Sequence, residues 1–273
     1  MTSPFFEKVA SAVETAIQGA ETELPSDVLR VINRARAAET KPQGQGEYDN
    51  IFANLALAKE KCVPICQDTG IIVLYFTLPP EIPLTEELYE AAREGVRRAT
   101  NSVPLRPNAV DAIRRENSKN NCGAGIPAIH IAPGTRFSVT ALPKGAGSEN
   151  MSQIKMMLPS ETDKITDFIV QVVREAGSRP CPPVVAGVGI GGTFDTCAAL
   201  SKEALLEDIS EMDAFEQQVC DKINALGIGP MGLGGDITAL SVKVKRAACH
   251  TASLPVAVNI QCWCCRKKTV VIK

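Results

Sequence analysis

The sequence predicts an α/β fold in the mixed α+β sense: a helical N-terminal part followed by mixed sheets flanked by helices. Three observations predict it. Apolar residues recur at three- and four-residue steps from Phe5 to Ala58. Short β-branched and aromatic runs bounded by Gly or Pro appear from Ile71 onward, and helical and strand patterns then intermix to the C-terminus.

Taken in order, helices are expected over 5–17, 28–37 and 51–58, punctuated by Pro25, a loop at 41–47 and Pro64. Residues 71–78 (IIVLYFTL) form a continuous apolar run between Gly70 and Pro79, which suits a buried strand. Helices follow over 86–99 and 108–117. Residues 127–131 and 137–142 read as strands about a Pro133-Gly134 turn. The second half opens with a helix over 163–176, a strand over 184–187, a glycine-rich turn and a helix over 196–206. A helix over 214–226 is closed by Gly227 and Gly229. Residues 237–245 alternate apolar and polar as a half-exposed strand should, and 254–260 make a last buried strand. There is no internal repeat. A single domain, 1–273, is expected, with a subdivision into two subdomains near 150–160.

Hydrophobic residues make up 45% and charged residues 22% of the 273, which excludes disordered, collagen-like and coiled-coil classes. The formal net charge of -2 argues against a nucleic-acid footprint or an anionic membrane surface. The N-terminal MTSPFFEKVASAVETAIQGAETEL is acidic and amphipathic, unlike a signal segment, and no apolar run reaches the roughly 18 residues of a membrane span. A cytoplasmic protein with reduced cysteines is expected. Ten cysteines then need a chemical role, as apolar filler or as metal ligands.

Several segments carry chemistry. Cys66-Gln67-Asp68-Thr69-Gly70 crowds a thiol, a carboxamide and a carboxylate into one turn, where Asp68 and Thr69 can also simply bond the local backbone. Cys181 lies in Arg179-Pro-Cys-Pro-Pro183, a stiff segment, as a ligand or as a buried small hydrophobe. Cys262, Cys264 and Cys265 cluster near the C-terminus, where three thiols within four residues could serve a metal. Well-separated cysteines at strand edges fit a different arrangement, an iron–sulfur cluster with one open ligand position, for which Asp68 is a candidate acid/base and Arg106 a candidate cation. Gly187-Val-Gly-Ile-Gly-Gly192 matches GxGxxG, yet no second strand ending in an acid follows, so a nicotinamide site is disfavoured. Residues 145–152 form a second flexible polar turn. His130 lies inside an apolar strand and reads as structural, whereas His250 precedes a strand as a proton-transfer candidate or a surface residue.

Together these segments resemble the alpha subunit of the class I, iron–sulfur-dependent fumarate hydratase and L-tartrate dehydratase family. The matching stretches run in family order: ICQDTG at 65–70, LRPNAV at 105–110, PKGAGSENMS at 143–152, CPPVVAGVGIGGT at 181–193, GIGPMGLGG at 227–235 and HTASLPVAV at 250–258, followed by Cys262-Trp263. The resemblance implies a [4Fe–4S] cluster on Cys66, Cys181 and Cys262 with one open iron, and a small dicarboxylate substrate. It implies Asp68 and His250 as catalytic residues, and Gln67, Arg106 and Gly147 as substrate contacts. The histidine position can serve the site of a partner protomer. The implied reaction is reversible hydration of fumarate to L-malate, a step of the tricarboxylic acid cycle. A second base and further cations would come from a separate beta subunit, in a dimer of alpha–beta pairs. Residues 147–152 look like the fumarase form, which favours fumarate over L-tartrate. Ala146, Cys122 and the Cys264-Cys265 pair depart from the family pattern. Two other classes remain: a zinc-stabilised scaffold on Cys249, Cys262, Cys264 and Cys265, and a nicotinamide oxidoreductase.

Overall fold

The computed structural model describes residues 2–273. Helices and two mixed four-stranded sheets make up the chain, as the α/β expectation has it. The chain forms two compact units. Among the described residues the first comprises 2–25, 54–146 and 266–273, and the second 26–53 and 147–265.

In the first unit, α1 (Pro4–Thr22) starts on Ser3, whose hydroxyl accepts from the Phe6 N–H at 3.0 Å, with Pro4 in the first turn where its missing donor costs nothing. It buries Val9, Val13, Ala16, Ile17 and Ala20 along one stripe. β1 (Ile71–Leu78) is central in the order β2-β1-β3-β8, with β2 (Ala128–Pro133), β3 (Ser138–Lys144) and β8 (Lys268–Val271). β1 and β2 pair in parallel across a connection that contains α4 (Glu86–Ser102), whereas β3 is antiparallel to β1 and β8. α1, α4 and the sheet share one core around Ile72, Leu74, Phe76, Leu88 and Val139, each such side chain contributing about 1.5–3 kcal/mol. His130 stacks on Tyr75 with ring centroids 4.6 Å apart, a structural role.

The second unit is built on the order β4-β7-β5-β6: β4 (Gln153–Met157), β5 (Val184–Ile190), β6 (Ala239–Arg246) and β7 (Leu254–Gln261). α2 (Ser26–Ala38), α6 (Ile165–Ala176), α7 (Phe194–Ala204) and α8 (Ala214–Asn224) accompany this sheet, and the short α5 (Ala146–Glu149) spans the sequence boundary between the units. β5 and β6 are parallel, and β7 runs antiparallel to both β5 and β4. The core of this unit gathers Ile169 and Val173 of α6, Val184, Ala186 and Val188 of β5, and Val219, Val242 and Ile260. β5 is thus buried along nearly its whole length, as a central strand covered on both faces should be.

Four expectations change. Residues 41–47 are not a loop: α3 (Pro42–Lys61) includes nearly all of them, because Pro42 suits a first helical turn and the Gln45 side chain donates to the Glu39 carbonyl at 2.9 Å. Residues 108–117 are not a helix. The Asp111 carboxylate accepts the N–H groups of Ile113 (3.0 Å) and Arg114 (2.6 Å), Arg115 turns to φ 60°, and Ile113 is left 92% exposed. Local side-chain acceptors compete there with helical bonding. β6 is not half-exposed, since its polar residues Ser241 and Lys243 are buried too, the ammonium of Lys243 meeting the Glu216 carboxylate at 2.9 Å. β4 and β8 are strands that no pattern in the sequence predicts; both are short and exposed along most of their length.

Candidate functional site

In the first unit, residues 66–70 connect α3 to β1. The turn is an Asx turn, as the local reading of Asp68 has it: Asp68 Oδ1 accepts the Gly70 N–H at 2.9 Å. Asp68 Oδ2 accepts the Ala146 N–H at 2.7 Å, so both carboxylate oxygens are oriented by backbone donors. Gly70 has φ 71°, and a Cβ there would lie 2.5 Å from the Lys144 carbonyl carbon, so only glycine lets the turn approach the end of β3.

The turn is tied to residues 104–108. The buried Thr69 hydroxyl accepts the Arg106 N–H at 3.0 Å, and the Asn108 side chain donates to the Gly70 carbonyl at 3.0 Å. Asn121 braces this loop, accepting the Asn108 N–H at 2.7 Å and donating to the Arg106 carbonyl at 3.1 Å. Gln67 and Arg106 are exposed, and Cys66 and Asp68 are half-buried. The structure thus brings Cys66, Gln67, Asp68 and Arg106 to one place in this unit.

Sequence reading missed what lies beneath the turn. Arg266 Nη2 donates to the Asp68 carbonyl at 2.9 Å, and Arg266 Nη1 meets the Glu21 carboxylate at 2.6 Å. Both side chains are buried. Burial pushes the Glu21 carboxyl up to about 7; the Arg266 guanidinium opposes the shift and the Asp68 charge adds to it. No spacing in the sequence links residue 21 to residue 266. The one available signal is that each follows an apolar stretch of its own, Glu21 that of residues 9–20 and Arg266 that of residues 254–265.

In the second unit, Cys181 precedes β5 and Cys262 follows β7. The Trp263 N–H donates to the Cys181 carbonyl at 3.3 Å, which sets these two segments side by side. Cys181 is exposed, with φ 53°, so the buried-filler reading of it does not hold. Cys262 is half-buried, whereas Cys264 and Cys265 are both 0% exposed. Gly147 adjoins the segment that carries Cys181: a Cβ on it would lie 3.1 Å from the Arg179 carbonyl oxygen. Near it in the chain, Glu149 is ion-paired with Lys202 and accepts from the Asn259 side chain at 3.3 Å.

His250 lies elsewhere in this unit. It sits in the turn between β6 and β7, at the opposite end of β7 from Cys262, roughly 20 Å away at about 3.3 Å per strand residue. It is exposed, and its Nδ1 accepts the Ala252 N–H at 3.1 Å.

The glycines of 187–192 serve packing. A Cβ on Gly187 would lie 2.2 Å from the Ser201 carbonyl oxygen, and one on Gly189 2.2 Å from that of Cys197. Their missing side chains let α7 lie directly on β5. Among the described residues no group of three or more His, Cys, Asp or Glu side chains is gathered for a single metal ion. Solvent access divides the thiols: Cys62, Cys66, Cys181, Cys249 and Cys262 are at least partly open and chemically able to act as thiolate donors, whereas Cys122, Cys197, Cys220, Cys264 and Cys265 are buried.

These features define a class: an α/β protein offering surface-open thiol donors, an oriented carboxylate and an exposed guanidinium. Residues 10–271 match the family model described as fumarate hydratase (Fumerase). The chain belongs to this family of hydro-lyases. It is 42% identical over 279 residues to a Methanocaldococcus jannaschii protein named "Putative L(+)-tartrate dehydratase subunit alpha", covering 97% of this chain and 98% of that one. It is 32% identical over 261 residues to a protein of Escherichia coli O157:H7 named "L(+)-tartrate dehydratase subunit alpha", covering 92% of this chain and 86% of that one. No helix among the described residues is long and apolar enough to cross a membrane.

Proposed function

We propose that the chain is the alpha subunit of a [4Fe–4S]-dependent hydro-lyase that hydrates fumarate reversibly to L-malate with a separate beta subunit. The observation that carries the reading is the family match over residues 10–271. When bound on Cys66, Cys181 and Cys262, such a cluster supplies a Lewis-acidic iron with an open position.

The chain's own residues do the rest of this half of the chemistry. The Asp68 carboxyl, oriented by the Gly70 and Ala146 amides, moves the proton to and from the malate hydroxyl. Arg106 and Gln67, both exposed, bind a substrate carboxylate, the guanidinium in bidentate fashion. Gly147, with no side chain, offers its backbone to the same substrate. The base for the C3 proton and further cations come from the beta subunit, and His250 serves the site of a second alpha chain in a dimer of alpha–beta pairs.

The resemblance of residues 147–152 to the fumarase form supports fumarate. The second reading is dehydration of L-tartrate, favoured by the names of the relatives. The test is anaerobic reconstitution of the alpha–beta complex with iron and sulfide. Fumarate should be hydrated with a kcat/KM at least about tenfold above that for L-tartrate dehydration. Faster turnover of L-tartrate overturns the fumarate assignment, and zinc without sulfide in the purified complex overturns the cluster.

A further inference from the structure

We propose that Arg266 and Glu21 are positioning residues for Asp68, holding its backbone so that its carboxyl faces the reaction. The inference rests on the hydro-lyase reading and deepens it. Residues 65–68 are strung between two anchors. At one end the Ile65 N–H donates to the Glu21 carbonyl at 2.8 Å, and the Asn54 side chain donates to the Ile65 carbonyl at 2.8 Å. At the other, Arg266 Nη2 holds the Asp68 carbonyl at 2.9 Å.

Arg266 divides its donor fork between two acceptors, the Glu21 carboxylate at 2.6 Å and the Asp68 carbonyl at 2.9 Å. A planar guanidinium with fixed donor directions meets both at once, which a lysine ammonium on a flexible stem does not. Glu21 lies on the last turn of α1 and Arg266 just before β8, so the α1 end and the β8 end of one unit converge under the turn. The Asp68 side chain then needs only the Gly70 and Ala146 amides to complete its orientation. Neither Glu21 nor Arg266 reaches solvent, so neither is a substrate contact.

The variants Arg266→Lys and Glu21→Gln, in the full alpha–beta complex loaded with iron and sulfide, test this. Each should lower kcat for fumarate hydration by about ten- to a hundredfold, with KM within about twofold. Hydrogen exchange on the full alpha chain provides a readout apart from turnover. The Gly70 and Ala146 amides should lose protection in the variants while the amides of α1 and β1 keep theirs. Unchanged kcat and unchanged exchange at Gly70 and Ala146 overturn the proposal, as does a loss of protection spread over the whole first unit. Should Arg266→Lys fail to fold, Glu21→Gln decides by the same measurements. A wild-type complex without hydro-lyase turnover removes the functional reading instead, and the exchange result still judges the positioning.

Discussion

Asp68 shows how one carboxylate can be aimed by groups distant in sequence. Its two oxygens accept amides from residues 70 and 146, and its carbonyl is held from residue 266. The buried Glu21 beneath it makes stability depend on pH. Its folded pKa of about 7 lies above the ordinary 4.5, so the folded state binds its proton more tightly. That contribution is fully present below about pH 4.5 and is lost as pH rises through 7. Glu21→Gln should flatten the fall in denaturation free energy between about pH 4.5 and 7, on the order of 3 kcal/mol, measured by urea unfolding. Thiol reactivity should divide by burial as well. Burial pushes the Cys197 thiol up to about 11 and the Cys220 thiol up to about 12. In the cluster-free chain near pH 8, iodoacetamide should label the exposed Cys62 and Cys249 and leave these two unmodified, as read by peptide mass spectrometry.

Among the elements, β5 and α7 explain the GxGxxG pattern without a nucleotide. A methyl group on Gly189 meets the Cys197 carbonyl oxygen at 2.2 Å, which α7 can relieve only by moving away from β5. Gly189→Ala should therefore cost about 3 kcal/mol in urea unfolding. A glycine pattern is ambiguous in a sequence because close packing and phosphate approach both require a missing Cβ. The apolar runs behind α1, β1, β5 and β7 were legible because each lies on a sheet or helix face that its own unit buries. Residues 108–117 misled for the opposite reason: their helical spacing lost to the Asp111 acceptor, a bond between close neighbours that a periodicity count ignores. β8 was illegible because four mostly exposed residues carry no pattern, and only pairing with β3 makes them a strand.

For the whole molecule, the two units are interleaved in sequence, with boundaries after residues 25, 53, 146 and 265. The first unit therefore takes its last strand from the chain's C-terminal residues. Removing residues 266–273 deletes β8, the buried Ile272 and the guanidinium opposite Glu21. The loss should be on the order of 5 kcal/mol for the first unit. Hydrogen exchange should show protection falling in β1 and β3 while β5 and β7 keep theirs.

The sequence by itself determined the α/β class, most of the elements and the family motifs, because these follow from local periodicity and from residues adjacent in the chain. It could point to Cys66-Gln67-Asp68 as a unit for the same reason. Tertiary structure decided which thiols open to solvent, that Arg106 stands beside the Asp68 turn, that His250 lies at the far end of its sheet, and that Glu21 and Arg266 meet. Those outcomes depend on contacts between residues up to 245 positions apart, and no local pattern encodes them.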